Sequence, residues 1–477
     1  MPPIMKYYPP GDPNRVAAVG LEGDIALRGR WYDQVRQYYD GHMTKFLDVK
    51  EDEPDDNVIL NKVKQVVDRT VAFLFPDVPD FELDPDVSGK TPDEEWLEEA
   101  WLENGGIALL HDMAYIGSLS GDIYVRIMPP DAQMGDIYPQ ILVLDPKSVQ
   151  TFWKSDDIRR VVFHEVTWTV QEGNRQLIDY ALDFVNYGTY WELIQYQNGG
   201  GLNAWHQVGE TVRWNSTLPP IIHSKHLPNP RNYYGNSEFT QSQLVLNDKI
   251  NLVASENNRI NRYHASPKTV ATGTTAESIQ ETAIDEMWAV ENPDAKVYNL
   301  EMTSDLQGSL SQQQLLSREF LAESRVVILQ GTVKDFQRVT NAGVRTVFID
   351  QLQKNAILRW NYGKLLQMIS MVLLYLGKKS IDKRPTIVFT DPLPTDQTET
   401  ANVAALERQM NIVSRQTLSS KRGYDWPTEL AKMEEEKTLD VFAPPAPASN
   451  GGNNQPQSAP TDAASRLKKE PGSVSNQ

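Results

Sequence analysis

Two Gly-Lys pairs are the first residues in this 477-residue sequence whose spacing raises a chemical question. SGKT at 88–91 and GKKS at 377–380 would bring a lysine and a hydroxyl to a nucleotide phosphate if each closed a phosphate-binding loop. Such a loop needs a further glycine, four intervening residues upstream of the Gly-Lys pair, so that backbone N–H groups can wrap the phosphates. Asp84 and Val372 stand at those positions, which argues against an ATP site. His223 and His226, spaced i, i+3 in HSKH, are of a type that ligates metals, and His206 and His264 lie elsewhere. The surrounding Pro219, Pro220 and Pro228 predict a solvated loop, and no carboxylate stands at metal-ligand spacing. Asp391 and Asp396, and the run EDEPDD at 51–56, lie in Pro-rich polar contexts and read as solvated faces. No nucleophile, base and orienting group form a triad pattern, and the sequon Asn215-Ser216-Thr217 has meaning only in a secreted chain. The residues therefore predict no catalysis and no cofactor or metal.

Composition narrows the class further. The absence of cysteine excludes thiol catalysis, disulfides and cysteine metal sites, and fits a reducing cytoplasm. Lys plus Arg is 46 against 64 Asp plus Glu, a net charge of −18. A sequence-independent clamp on duplex DNA needs basic surface to release phosphate counterions, so that role is disfavoured. The N-terminal MPPIMKYYPPGDPNR has no apolar h-region. The longest apolar run, LLQMISMVLLYL at 365–376, has twelve residues and includes Gln367 and Ser370. A bilayer span needs about 20 residues, so a soluble protein is expected, with no membrane partner.

The elements that would position any site follow from periodicity. Residues 1–24 are Pro-rich and read as an extended arm. Helical patterns cover 27–39, 58–75 (Val58, Val63, Val66, Val67, Val71, Leu74 on one face) and 93–118, the last broken at Gly105-Gly106. The period then changes to that of strands at 122–129, 139–146, 148–153, 159–170 and 189–197, predicting an α+β fold with a mainly antiparallel sheet. A long polar helix over about 234–263 carries only a narrow apolar stripe, Phe239, Leu246, Ile250, Val253 and Ile260. Its other positions are mostly Asn, Gln, Ser and charged residues, as on a helix that is exposed or packed edge-on against copies of itself. An insert at 264–308 reads strand, short helix (274–287, capped by Thr274 or Thr275), strand. A helix at 309–327, a Gly-bracketed loop to Gly343 and a long helix at 344–376 follow, then a strand near 386 and helices at 398–416 and 424–437. Beyond Ala443 the Pro-, Ala- and Asn-rich tail predicts disorder.

Cations in the central region are the remaining candidates. Lys334, Arg338 and Arg345 lie in or beside the loop, and Lys249, Arg259 and Arg262 lie on the polar faces of the first long helix. Each fits transient contact with a phosphate backbone, or ordinary surface solubility and helix pairing such as Glu256 with Arg259.

Four segments carry a family resemblance. GSLSGDIYVRI at 117–127 followed by VLDPKSVQTFW at 143–153, NYYGNSEFTQSQLVLNDKINLVASENN at 232–258, the Gln/Ser-rich helix with its loop and long helix, and TIVFTDPLPTDQTETANVAALERQMNIVSRQTLSSKRG at 386–423 resemble, in this order, the portal (head-to-tail connector) proteins of tailed bacteriophages. The resemblance spans about 25–440 and rests on element order and short motifs; the insert matches in position only.

The resemblance implies a division into an N-terminal arm (1–24), an α/β wing (25–232), stem helix 1 (233–263), a small α/β clip (264–308), stem helix 2 (309–329), a tunnel loop (330–343), a long wing helix (344–379), an outer wing and helical crown (380–442) and a disordered tail (443–477). It implies a virion protein that assembles in the host cytoplasm into a homo-oligomeric ring, normally of twelve subunits, at one capsid vertex. Through that ring double-stranded DNA is packaged by the terminase large subunit and later ejected. Its implied partners are the major capsid and scaffolding proteins and the head-tail connector or adaptor proteins. Lys334, Arg338 and Arg345 then become DNA-contacting tunnel-loop residues, and Lys249, Arg259 and Arg262 channel-lining stem residues. Twelve copies at −18 carry a charge of −216, and such a lumen repels phosphate within a Debye length of about 8 Å. The alternatives are a packaging ATPase or nuclease, which the missing phosphate loop disfavours, and a helical adaptor scaffold.

Overall fold

The structure is a computed structural model that describes residues 7–17, 22–49, 54–84, 90–154, 156–172, 176–199, 205–265, 269–272, 294, 296–299, 306–328, 341–393, 397–421, 424 and 426–439. Helices α1 (Pro13–Ala17), α2 (Glu22–Tyr39) and α3 (Lys62–Leu74) lead to strand β1 (Asp80–Glu82) and helices α4 (Pro92–Glu103) and α5 (Ile107–Ser120). Strands then follow one another: β2 (Asp122–Met128), β3 (Gln140–Leu144), β4 (Val149–Lys154), β5 (Asp157–Glu172), β6 (Gln176–Asn186), β7 (Trp191–Asn198), β8 (Trp205–Gln207), β9 (Val212–Trp214) and β10 (Ile221–Lys225). Next come α6 (Gln241–Ala265), β11 (Thr269–Thr272), β12 (Lys296–Asn299), α7 (Leu306–Ser324), α8 (Asn341–Val347) and α9 (Ile349–Leu376). The last elements are β13 (Thr386–Val388), α10 (Gln397–Gln409), α11 (Arg415–Lys421) and α12 (Trp426–Leu439). The fold is α+β, and every strand pair is antiparallel.

Two compact units divide the chain at 401/402. The second holds the end of α10 with α11 and α12, and leaves Met410 and Ile412 exposed. In the first, one core joins α2, α3, α4, α5 and α9 to a three-stranded sheet ordered β10-β2-β3. A six-stranded sheet ordered β4-β5-β6-β7-β8, with β9 beside β7, turns one face to that core. Its other face buries Phe152, Phe163, Ala181 and Ile194 in a second, smaller cluster.

Local chemistry accounts for several boundaries. Thr91 and Glu94 form a reciprocal capping box at the start of α4, and Pro92 occupies the first turn. The threonine of SGKT is thus a helix cap, and Gly377 of GKKS terminates α9. Gly105 and Gly106 both take positive φ and break α4 from α5 where the sequence pattern placed the break. On α3 the valines at 63, 66, 67 and 71 are buried as expected, but the helix begins only at Lys62. Residues 58–61 are instead extended along α6, so Val58 does not belong to the helical face.

Three expectations are corrected. Residues 7–17 are not a free extended arm. They contain α1 and lie on the second face of the six-stranded sheet, where Arg15 pairs with Asp183 at 2.8 Å and Glu165 at 2.9 Å, and Tyr7 packs edge-on against Phe163. Strand β6 has no counterpart in the sequence reading, although its Ile178, Leu182 and Phe184 recur at strand period and face inward. HSKH is not a solvated loop: His223 lies in β10, and both His223 and His226 are withdrawn from water by Asp122 and Glu238. The helix expected at 274–287, the loop at 330–340 and the tail beyond 443 lie outside the described residues.

Candidate functional site

Two of the quoted motifs meet in space at the root of α6. The Gly235 amide donates to the Asp122 carboxylate at 2.8 Å, Ser237 Oγ donates to the Ser118 carbonyl at 3.0 Å, and the Glu238 amide donates to the same carbonyl at 2.9 Å. Gly121 ends α5 with φ +88°, and a Cβ there would stand 2.6 Å from the Asn236 carbonyl carbon. Gly235 faces it, with no room for a side chain against the Gly121 carbonyl. GSLSGD and GNSE are therefore the two halves of one backbone crossing, which needs glycine on both sides.

Glu238 emerges from that crossing into the interior, with its side chain 1 % exposed. One carboxylate oxygen accepts His226 Nε2 at 2.8 Å and the other pairs with the Lys354 ammonium of α9. Lys354 also donates to the Ser324 carbonyl at 3.0 Å, and His226 Nδ1 stands 2.8 Å from the Tyr362 hydroxyl. Burial pushes the Glu238 carboxyl upward, but Lys354 and then His226 outweigh it and bring its pKa down to about 2. An acid, an imidazole, an amine and a phenol within hydrogen-bond reach resemble an acid–base centre. All four are buried, and their contacts tie the residue after β10, the approach to α6, the end of α7 and α9 to one another.

From this root α6 runs antiparallel to α7 along a seam of polar side chains. Gln243 donates to Ser324 Oγ at 3.0 Å, Ser242 to Glu323 at 2.6 Å, Ser309 to Asn257 at 2.5 Å, and Asn257 to Gln313 at 3.3 Å. Leu244 and Phe320 are fully buried nearby. A satisfied polar seam fixes register more sharply than an apolar one, because any slip leaves buried donors unpaired.

The other side of α6 carries a ladder. Asn247, Asn251 and Ser255 accept the amides of Lys62, Leu60 and Val58 at 3.1, 2.8 and 2.9 Å, and Asn258 donates to the Asp56 carbonyl at 3.2 Å. Four residues of helix advance about 6 Å and two residues of extended chain about 6.6 Å, so the two repeats stay in step for several rungs. The helix side chains thus serve as a neighbouring strand for residues 56–62. The polar face read as solvent- or channel-exposed is, along this stripe, buried: Asn247, Asn251 and Ser255 are each at most 1 % exposed.

The six cations singled out from the sequence separate. Lys249 is exposed on α6 with no ion pair among the described residues. Arg259 reaches the Asp48 carbonyl at 3.1 Å and Asp56 at 3.5 Å, and Arg262 meets Asp56 at 2.6 Å. Asp56 is only 5 % exposed, so the EDEPDD run ends in a buried counter-ion and not on a solvated face. Arg345 lies in α8 and pairs with Asp391, while Lys334 and Arg338 lie outside the described residues. No group of three or more His, Asp and Glu among the described residues is arranged to hold a metal, and no helix there is long and apolar enough to cross a membrane.

Sequence reasoning passed over Glu238, Lys354, Asp183 and the Asn ladder. One signal for Lys354 was present: it shares its helical face with Leu358, Tyr362 and Leu365, where a lysine is either misplaced or paired.

No protein-family model and no curated protein matches the chain. Among solved structures it is similar to a chain of the virion of a native gene transfer agent particle, at TM-score 0.45 and 14% identity, covering 82% of this chain and 93% of that one. It is also similar to a chain in the neck of the empty particle computed with C6 symmetry, at TM-score 0.43 and 14% identity. A chain in the neck of the native particle computed with C12 symmetry gives TM-score 0.43 and 13% identity, and both neck alignments cover 76% of this chain and 89% of the other.

Proposed function

We propose that the chain is a structural, non-enzymatic portal subunit: copies close into a ring, normally of twelve, that forms the DNA channel at one vertex of a phage-like capsid. The observation that carries this reading is the α6–α7 pair, a polar-seamed column rooted on the buried Glu238–Lys354 ion pair, with the antiparallel strands β11 and β12 lying between the two helices in sequence. A column of this kind is rigid on its own yet leaves Val245 on α6 and Leu310 and Leu315 on α7 exposed. Apolar side chains on otherwise polar helices fit a seam with neighbouring copies, and a cyclic ring requires such head-to-tail interfaces to close.

On this reading the terminase docks on the ring during packaging, and capsid, scaffolding and connector proteins bind its outer surfaces in the virion. Lys334, Arg338, Arg345 and Lys249 are the cations assigned to the DNA, holding the backbone transiently and without sequence preference. Arg259 and Arg262 are assigned to Asp56, which ties the column to residues 54–62. Negative-stain microscopy and native mass spectrometry of the full chain, alone and with its capsid protein, test the proposal. Closed rings with a central channel are expected; monomers under every condition would overturn it.

A further inference from the structure

A second feature of the first unit lies away from the column. A cleft of about 1450 Å³ opens beside the six-stranded sheet, β10 and α9. Its apolar lining includes Ile158, Val162, Trp191, Ile222, Tyr233 and Met368. Arg159, Arg160, Lys225 and Lys364 also line it, and no Asp or Glu does among the described residues. This is unusual placement in a chain of net charge −18. Carboxylates stand behind the lining: Asp157 meets Arg159 at 2.9 Å and Arg160 at 3.4 Å, one negative charge shared by two guanidiniums, and the buried Asp122 meets His223 at 2.8 Å. Lys225 donates its ammonium to the Asn229 and Asn232 carbonyls at 2.8 and 2.6 Å and forms no direct ion pair among the described residues. Burial lowers its pKa, with Asp122 acting in the opposite sense. Lys364 is exposed beside Trp360 and has no ion pair among the described residues.

We propose that this cleft is a docking site for an acidic, apolar-anchored segment of a partner polypeptide. Three features choose that occupant. The volume exceeds the roughly 300–1,000 Å³ of ordinary small-molecule pockets, so a chain segment fills it better than a metabolite. The apolar walls call for aliphatic or aromatic anchors, while the cations call for carboxylates beside them. A nucleic acid would need cations along a continuous track and a series of open aromatic faces for stacking; of the lining Tyr187, Trp191 and Tyr233 only Tyr187 is open, at 47 % exposed against 5 % and 9 %. The inference is independent of ring closure, because every residue in it belongs to the first unit of one chain.

Fluorescence anisotropy on the full-length protein tests it with three labelled probes: a peptide alternating Glu with Leu and Phe, the same peptide with Lys for Glu, and an oligothymidine. The acidic peptide should bind at least about tenfold more tightly than either other probe, and less tightly as salt rises. The double variant Arg160→Glu/Lys364→Glu should lose about tenfold or more in affinity while keeping the circular dichroism and unfolding midpoint of the parent. Equal binding of the Lys peptide, tighter binding of the oligonucleotide, or indifference to the double variant would overturn the proposal. So would a change in oligomeric mass in the double variant, which would assign the cleft to contact between copies of this chain.

Discussion

Asn251 Oδ1 accepts the backbone amide of Leu60 at 2.8 Å, joining residues 191 positions apart through a side chain that is only 1 % exposed. This rung is the middle of the ladder that holds residues 56–62 to α6. Asn251→Ala should leave the part-buried Leu60 amide without its acceptor and cost about 1–3 kcal/mol, read as a lower urea midpoint. Lys249→Ala, two residues away and exposed, should stay within about 0.5 kcal/mol of the parent. Equal midpoints for the two variants would show that water replaces the asparagine and that the ladder contributes little.

Glu238 and Lys354 are a buried pair, so each is costly without the other. Glu238→Gln should destabilise by about 3–5 kcal/mol, because the Lys354 ammonium is then left without its counter-charge. Glu238→Gln/Lys354→Met should be far less destabilised than the two single changes added together, with a coupling above about 1 kcal/mol in a double-mutant cycle. Additive effects would mean that His226 and Ser324, and not the ion pair, secure the root of the column.

Much of the architecture was legible because it rests on local pattern. The valine face of α3, the Gly105-Gly106 break and the Leu358–Tyr362–Leu365 face of α9 follow from helical spacing and from glycine's access to positive φ. The column was legible as a polar helix, but its burial was not. Asn247, Asn251 and Ser255 look like surface residues until an extended segment nearly two hundred positions away presents amides to them, and periodicity carries no information about such a partner. Asp183 was hidden for a related reason. Within β6 it stands as the polar half of an alternating strand, and Arg15 and Tyr7, folded back from the N-terminal segment, make burying it favourable. His223 and His226 were misjudged because the flanking prolines signal a loop, whereas the residues between them complete a strand against β2.

His164 supplies a pH dependence with a definite sign. It is buried, with Nδ1 2.9 Å from Thr151 Oγ1; burial first, and then His223, lower its pKa from 6.5 to about 3. The unfolded chain therefore binds a proton that the folded chain refuses across that interval. The stabilisation is fully present above pH 6.5 and is lost as the pH falls toward 3. It changes by up to about 1.4 kcal/mol per pH unit, or roughly 2–3 kcal/mol between pH 7 and pH 4.5. His164→Gln should be less steep than the parent over this range in urea unfolding at fixed ionic strength. Parallel pH profiles would show that His164 is protonated in the folded protein and that the slope has another origin.

The loop cations give a prediction specific to the portal reading. Lys334 and Arg338 lie in sequence between α7 and α8, in the segment proposed above to hold DNA. On the proposed role, replacing both with alanine should leave ring assembly and thermal stability unchanged, within about 1 kcal/mol. The same change should reduce the amount of DNA packaged or retained in particles, measured as encapsidated genome per capsid. Arg345→Ala separates grip from scaffold, since Arg345 pairs with Asp391 near β13. If its role is only that surface pair, packaging should match the parent; if it also meets DNA, packaging should fall with Lys334→Ala/Arg338→Ala. Full packaging by the triple variant would remove the grip and leave a channel through which DNA passes by repulsion alone.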